Sequence, residues 1–184
     1  METDVKVANR FITVFSRLIR KTLDYSSRDE ITIQDEKEYL STFLSLEQMR
    51  FENKFEYFFN IAANIEKNEI RIPPMLLQPY IENAIRHGIN NKKDGTGKII
   101  ITISLKNNNL ICDITDNGIG RLASEKLKGN VHLEYQSKGM ELTAKRIELL
   151  NVNRKFPIKV SITDLINTEG NSLGTKVTLV FPGN

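Results

Sequence analysis

Several short elements of this sequence carry side chains that suit the binding of a charged nucleotide. Asn83, in the run IENAIRHG, lies on a predicted helix, where its amide oxygen could coordinate a hard cation that also binds phosphate oxygens. Asp116 ends a predicted strand, and its carboxylate could accept a hydrogen bond from the exocyclic amine of adenine. Gly118 and Gly120, in DNGIG, let backbone approach a ligand closely. Together these elements predict a pocket for a magnesium nucleotide.

Two further elements follow in the chain, SKGM at residues 137–140 and the pair Gly174-Thr175. Gly139 is predicted to open a helix, where free N–H groups and the helix dipole favour an anionic phosphate. Ser137 and Lys138 beside it would also approach phosphate. Each element taken singly has a plain structural alternative, because Asp-Asn-Gly is a common turn and a hairpin turn would explain Gly174. The ordered set favours the nucleotide pocket.

The ordered series resembles the N, G1, G2 and G3 boxes of the GHKL ATP-binding superfamily. Within it, IPPMLLQPYIENAIRHGI is similar to the N box of the LytS-like group of sensor histidine kinases, and EKEYLSTFLSLEQMRFENKFEY to the segment before their catalytic domain. The resemblance runs from about Ala8 to Pro182. It implies a two-layer α/β sandwich of the Bergerat type, ATP and Mg²⁺ as cofactors, and γ-phosphoryl transfer to a histidine for relay to a response regulator.

The resemblance also implies roles for particular residues. Asn83 would coordinate Mg²⁺, and Arg86 and His87 would face the phosphates, since residues three and four apart share a helix face. For His87, a packing role is an equal alternative; for Asp116, the alternative is a turn cap. The residues expected to hold the nucleotide are Asn83, Asp116, Asn117, Gly118, Gly120, Ser137, Lys138, Gly139, Gly174 and Thr175.

The N-terminal stretch is predicted to be a bundle helix. Its apolar seam follows alternating steps of three and four, through Ala8, Phe11, Phe15, Leu18, Thr22 and Tyr25. The resemblance makes residues 1–28 the second helix of a dimerisation and phosphotransfer bundle, so we expect a homodimer through this helix. The alternative is a helix that packs on its own domain. Thr32-Ile33-Gln34-Asp35 has the form that opens a helix, and the catalytic domain is expected at residues 29–184.

The rest of the chain alternates between helical and strand patterns. Helices are predicted at 35–51, from Pro73-Pro74 to Gly88, and at 139–150, and strands at 55–61, 99–105, 110–116, 158–166 and 176–181. This order favours an α+β fold with a mixed, mostly antiparallel sheet covered by helices on one face. Residues 117–138 are expected to form a loop, the ATP lid.

Composition excludes several classes of protein. The net charge of +3 is small and the basic residues are scattered, which disfavours nucleic-acid binding. The single cysteine, Cys112, excludes an internal disulfide. No apolar run is long enough to cross a bilayer. We expect a cytoplasmic domain, and the resemblance implies a parent in the bacterial inner membrane through segments outside this sequence.

The sequence departs from the resembled pattern at two points. Ser137 replaces the first glycine of the usual G2 box, and the phosphoacceptor motif is absent. The two histidines, His87 and His132, lie outside the bundle helix, so we expect a fragment that cannot autophosphorylate. Hydrolytic relatives carry a glutamate base where this chain has Pro79, which disfavours ATP hydrolysis. The alternatives are a degenerate nucleotide-binding signalling module without kinase activity and an anti-sigma-type serine kinase; the bundle helix argues against the latter.

Overall fold

The helices and strands of the computed structural model fall into two compact units. The structure describes residues 2–92, 95–121, 123–124 and 133–183. The first unit comprises Met1–Lys54 and Glu66–Met75, and the second comprises Phe55–Ile65 and Leu76–Asn184. The division predicted between residues 28 and 29 stays a prediction. Within the described ranges, no helix combines the length and apolarity that a membrane span requires.

A π-helical turn over Ala84–Ile89 continues the third of four described helices. The helices are α1 (Glu2–Ser26), α2 (Ile33–Arg50), α3 (Gln78–Asn83) and α4 (Leu133–Asn151). The strands are β1 (Ile31–Thr32), β2 (Phe55–Ile61), β3 (Arg71–Ile72), β4 (Gly97–Lys106), β5 (Asn109–Asp116), β6 (Lys159–Ile166) and β7 (Ser172–Pro182).

In the first unit, α2 begins where the sequence predicts a cap. The Thr32 hydroxyl accepts a hydrogen bond from the Asp35 N–H at 3.0 Å, and the Asp35 carboxylate accepts one from the Thr32 N–H at 3.4 Å. These two bonds satisfy donors that the first helical turn leaves unpaired. The short strands β1 and β3 pair antiparallel beside this cap.

Only the C-terminal half of the α1 seam packs on α2. Tyr25 is buried and meets Tyr39 of α2 edge to face, with ring centroids 6.0 Å apart. Leu18 is buried as well, whereas Phe11 and Phe15 are 38% and 45% exposed. Both alternatives for this helix therefore retain support, since one half packs within the chain and the other half presents aromatic rings to solvent.

The second unit is built on a five-stranded sheet in the order β2-β4-β5-β7-β6. The β2–β4 pair is parallel and the other pairs are antiparallel. Ile101, Ile114 and Val177 lie opposite one another in register on neighbouring strands, and all three are buried. Burial of such a side chain stabilises the fold by about 1.5–3 kcal/mol. The predicted fold class, mixed and mostly antiparallel with helices, is confirmed.

Two predicted helix boundaries are wrong. Pro73 and Pro74 precede α3, and the proline in its first turn is Pro79. Helix α4 begins at Leu133, so Gly139 lies inside this helix and does not open it. A single glycine costs a helix interior only about 1 kcal/mol relative to alanine, which does not end a helix that has already begun.

Candidate functional site

A cavity of about 210 Å³ lies in the second unit, and predicted site residues from three separate segments meet in its wall. Asn83 and His87 come from α3 and the π turn, Asp116 and Gly120 from the end of β5 and its loop, and Thr175 from β7. The remaining lining residues are Tyr80, Ala84, Gly88, Ile114, Arg121, Ser124, Met140, Ile162 and Val177. The cavity is therefore mostly apolar, with a few convergent polar groups, as small-molecule sites usually are.

Asp116 is a buried carboxylate at the C-terminal end of β5, with 5% of its surface exposed. Burial raises the pKa of its carboxyl from 3.8 to about 6, and the N–H groups of Gly118 and Thr175, with the nearby Lys92 charge, oppose that rise. The Gly118 N–H donates to Oδ1 at 2.8 Å. A carboxylate held in this way is ionised at neutral pH and keeps acceptor capacity for a ligand.

Glycines allow three segments to close around Asp116. A Cβ added at Gly88, in the π turn, would lie 2.8 Å from Asp116 Oδ1. A Cβ at Gly118 would meet the Gly88 backbone, and one at Gly174 would meet the Asp116 carbonyl oxygen. Gly118 does not adopt a positive φ, so the reason for a glycine at this position is the close packing of the two segments. Gly120, by contrast, adopts a positive φ of 77°, which glycine allows without steric cost.

Asn117 holds the loop after β5 against the start of β4. Its Oδ1 accepts from the Lys98 N–H at 2.7 Å, and its Nδ2 donates to the Thr96 carbonyl at 3.2 Å. Lys92 Nζ donates to the Asn117 carbonyl at 2.8 Å. Asn117 does not line the cavity, and these bonds give it a part in holding the Asp116 loop in place.

Helix α3 and the π turn that continues it carry the N-box side chains at the cavity. Asn83 and His87 both line it. Arg86 does not, and its Nη2 lies 2.8 Å from Glu82 Oε1 in a partly exposed ion pair. The Asn90 N–H bonds to the Ile85 carbonyl at 2.8 Å, the five-residue spacing of a π turn. Such turns occur mostly as local insertions in helices, often at functional sites.

The predicted G2 residues contribute little that the structure describes. The side chains of Ser137 and Lys138, like the whole of His132, lie outside the described part of the chain. Gly139 is exposed, and a Cβ there would meet nothing within 4 Å. The helix N-terminus argument for phosphate binding at Gly139 is therefore wrong, because this residue lies inside α4. Thr175 lines the cavity and is paired in register with Asp116.

Several lining residues are not among the predicted site residues. Tyr80 and Met140 lie within the quoted motifs but have no predicted role, and Ile162 lies outside those motifs. Burial raises the pKa of Tyr80. Arg121 follows DNGIG directly, and its guanidinium donates to Asp164 of β6 through Nε at 2.8 Å and Nη2 at 2.7 Å. That pair joins the loop after Gly120 to an edge strand, and only the sheet order could have predicted it.

The side chains at the cavity fit a magnesium ion that the nucleotide itself brings. Among the described residues, no group of three or more His, Cys, Asp and Glu side chains could hold a metal. Mg²⁺ usually retains waters and takes only one or two protein oxygens together with substrate phosphates. The amide oxygen of Asn83 could supply one such ligand, so the absence of a protein cage in the described chain is compatible with this kind of site.

Comparisons with known proteins agree with this geometry. A family model described as Histidine kinase matches residues 1–55. The sensor protein LytS of Staphylococcus epidermidis is 27% identical over 179 residues, which are 97% of this chain and 29% of that relative. Among solved structures, the histidine kinase AdeS of Acinetobacter baumannii has a TM-score of 0.54 at 15% identity, with 99% of this chain and 81% of AdeS covered. This chain thus spans less than a third of the length of LytS.

One solved structure also contains a partner protein. The histidine kinase ThkA, in complex with the response regulator protein TrrA, has a TM-score of 0.50 at 16% identity, with 96% of this chain and 49% of ThkA covered. At these identities the structural likeness indicates the fold alone, and the sequence relatives give the family.

Proposed function

Since the chain belongs to the LytS-like group of sensor histidine kinases, we propose that its cavity binds ATP for phosphoryl transfer to a histidine. In that step the bond between the γ-phosphorus and its bridging oxygen breaks, an N–P bond forms on the imidazole, and ADP leaves. The phosphoryl group then passes to an aspartate of a response regulator. The observation that carries the proposal is the buried Asp116 carboxylate in the wall of the same cavity as Asn83.

Asp116 is proposed to recognise adenine. Its ionised carboxylate accepts a hydrogen bond from the exocyclic amine, whereas guanine would present a carbonyl oxygen there and two acceptors would face each other. The apolar side chains of Ile114, Ile162 and Val177 line the same cavity and can contact the faces of the ring. Because the pKa of Asp116 is about 6, this acceptor is mostly charged at neutral pH.

Asn83 and His87 are proposed to act at the phosphate end. Mg²⁺, when bound with the nucleotide, neutralises phosphate charge during transfer. Asn83 would hold it through its amide oxygen, and His87 would donate to a phosphate oxygen. Arg86 could join them only by leaving Glu82, with which it is paired here. Ser137, Lys138 and Thr175 stay candidates for nucleotide contact.

The phosphoryl acceptor is proposed to be a histidine outside this sequence. Helix α1 contains no histidine, and the two in the sequence are His87 and His132. A response regulator is the proposed final partner, which the ThkA complex with TrrA supports by analogy. We also propose that the full-length protein is held at the bacterial inner membrane by segments outside this sequence.

A homodimer through α1 completes the proposal. Phe11 and Phe15 stack with their centroids 6.2 Å apart, and both are partly exposed. Ile12 and Ile19 widen the same apolar surface and are exposed too. An apolar helix face of this kind, with no cover among the described residues, favours association between helices.

Calorimetric titration with ADP and ATP, with and without Mg²⁺, tests the proposed binding. Asp116→Asn should abolish adenine-nucleotide binding. Asp113→Asn is the matched control, because Asp113 lies on the same strand and bonds to Lys176 and Thr178 away from the cavity. Asp113→Asn should bind as the unaltered chain does, and binding that survives Asp116→Asn would overturn the site. Failure of the unaltered chain to bind either nucleotide would favour the degenerate signalling module.

A further inference from the structure

Ser124 lines the cavity and has a buried hydroxyl, and we propose that this hydroxyl donates a hydrogen bond to a ring nitrogen of the bound adenine. The side chain is only 4% exposed, and the residue lines the cavity. Its Oγ is buried without a hydrogen-bond partner in the described part of the chain. The inference rests on the proposed function and adds a residue that lies outside the predicted motifs.

The position of Ser124 is fixed by the segment that follows Asp116 at the end of β5. The Ser124 N–H donates to the Gly120 carbonyl at 3.1 Å, one helical turn back, and Gly120 lines the cavity as well. Arg121, between them, is joined to Asp164 of β6. The hydroxyl is therefore attached to backbone that is already held at the cavity.

A buried hydroxyl without a partner is uncommon and costs free energy of folding. Thr143 illustrates the usual arrangement, since its buried Oγ1 donates to the Gly139 carbonyl at 2.9 Å. Ser124 instead lines a cavity that is large enough for a small ligand. A serine χ1 has three staggered positions, so rotation about one bond changes the direction in which Oγ points.

Adenine offers the hydrogen-bond acceptors that the Ser124 hydroxyl lacks among the described residues. With its amine directed to Asp116, the ring still presents nitrogens that only accept hydrogen bonds. The apolar neighbours Ile114, Ile162 and Val177 cannot donate to them. Ser124 lines the same cavity, and its O–H is a donor whose hydrogen rotates to suit the acceptor. An adenine ring nitrogen would thus satisfy a group that has no hydrogen-bond partner among the described residues.

The test compares Ser124→Ala with Thr143→Ala in the full chain, by ADP titration and by thermal melting without nucleotide. We expect Ser124→Ala to weaken ADP binding by about threefold to tenfold, the size of one ordinary hydrogen bond. Its melting temperature should be equal to that of the unaltered chain or higher, because an unsatisfied group is removed. Thr143→Ala should melt at a lower temperature and bind ADP with unchanged affinity.

Analogues of ADP with one ring nitrogen replaced by C–H locate the bond. The unaltered chain and Ser124→Ala should bind one of these analogues with equal affinity, namely the analogue that lacks the ring nitrogen to which Ser124 donates. The inference is overturned if Ser124→Ala binds ADP as well as the unaltered chain, if no analogue removes the difference, or if the variant melts at a lower temperature. Those results would leave ADP binding by the unaltered chain intact. If the unaltered chain binds no ADP, the proposed function fails and the Ser124 inference fails with it.

Discussion

Replacing Asp116 with asparagine should stabilise the nucleotide-free protein. The same replacement should abolish adenine-nucleotide binding. Burial raises the pKa of this carboxyl from 3.8 to about 6, so keeping it ionised in the folded state costs free energy at neutral pH. Two pKa units at about 1.36 kcal/mol each set an upper limit of about 3 kcal/mol. Asparagine keeps only one acceptor oxygen for the N–H groups of Gly118 and Thr175, which offsets part of the gain. We expect a net increase of about 1–2 kcal/mol in the free energy of unfolding.

The sign follows from proton linkage. The pKa of Asp116 is higher in the folded than in the unfolded state, so the folded state binds more protons between about pH 4 and 6. The ionised carboxylate therefore lowers the free energy of unfolding most above pH 6. The destabilisation should fall to roughly half near pH 5 and vanish below about pH 4. Urea denaturation of both proteins at about pH 7.5 and pH 5 measures the difference. An Asp116→Asn variant that is less stable at both pH values would refute the reasoning.

Three further expectations follow from other parts of the molecule. Gly118→Ala should lower the free energy of unfolding by about 1–3 kcal/mol, because the added Cβ meets the Gly88 backbone. Gly139→Ala should raise the free energy of unfolding by about 0.5–1 kcal/mol, because Gly139 is an exposed helical position with open space around it. Urea denaturation measures both changes, and equal effects of the two substitutions would contradict both expectations. Phe15→Ser should weaken self-association at least about tenfold in sedimentation velocity, since an exposed aromatic anchor is lost; an unchanged association constant would exclude α1 as the interface. With labelled ATP, the chain alone should form no acid-labile phosphohistidine, and its appearance would show that a histidine in this sequence is the acceptor.

Local patterns predicted the elements that depend on local chemistry. The alternation in β4 and β5 marks both strands, since side chains on a strand have a period of two. Asn107 and Asn108 have φ values of 50° and 63° in the turn between them, a conformation that asparagine adopts more readily than most residues. The cap at Thr32 also follows from sequence spacing alone.

Features that depend on contacts between distant segments could not be predicted. Gly118 is required by the approach of Gly88, about thirty residues earlier, and no local pattern contains that contact. The π turn contacts strands β4, β5 and β7, and no local pattern in the sequence marks it. Burial of the Ser124 hydroxyl, which has no hydrogen-bond partner among the described residues, could not be predicted either, since polarity alone would place a serine on the surface.

The relative affinity for ADP and GDP tests the central claim most directly. A cavity in which Asp116 accepts from the adenine amine should bind ADP and reject GDP by at least about a hundredfold, because guanine presents an acceptor to a buried acceptor. Calorimetric titration of the unaltered chain with each nucleotide in excess Mg²⁺ gives both dissociation constants. Equal affinities for ADP and GDP, or no binding of either, would contradict the account.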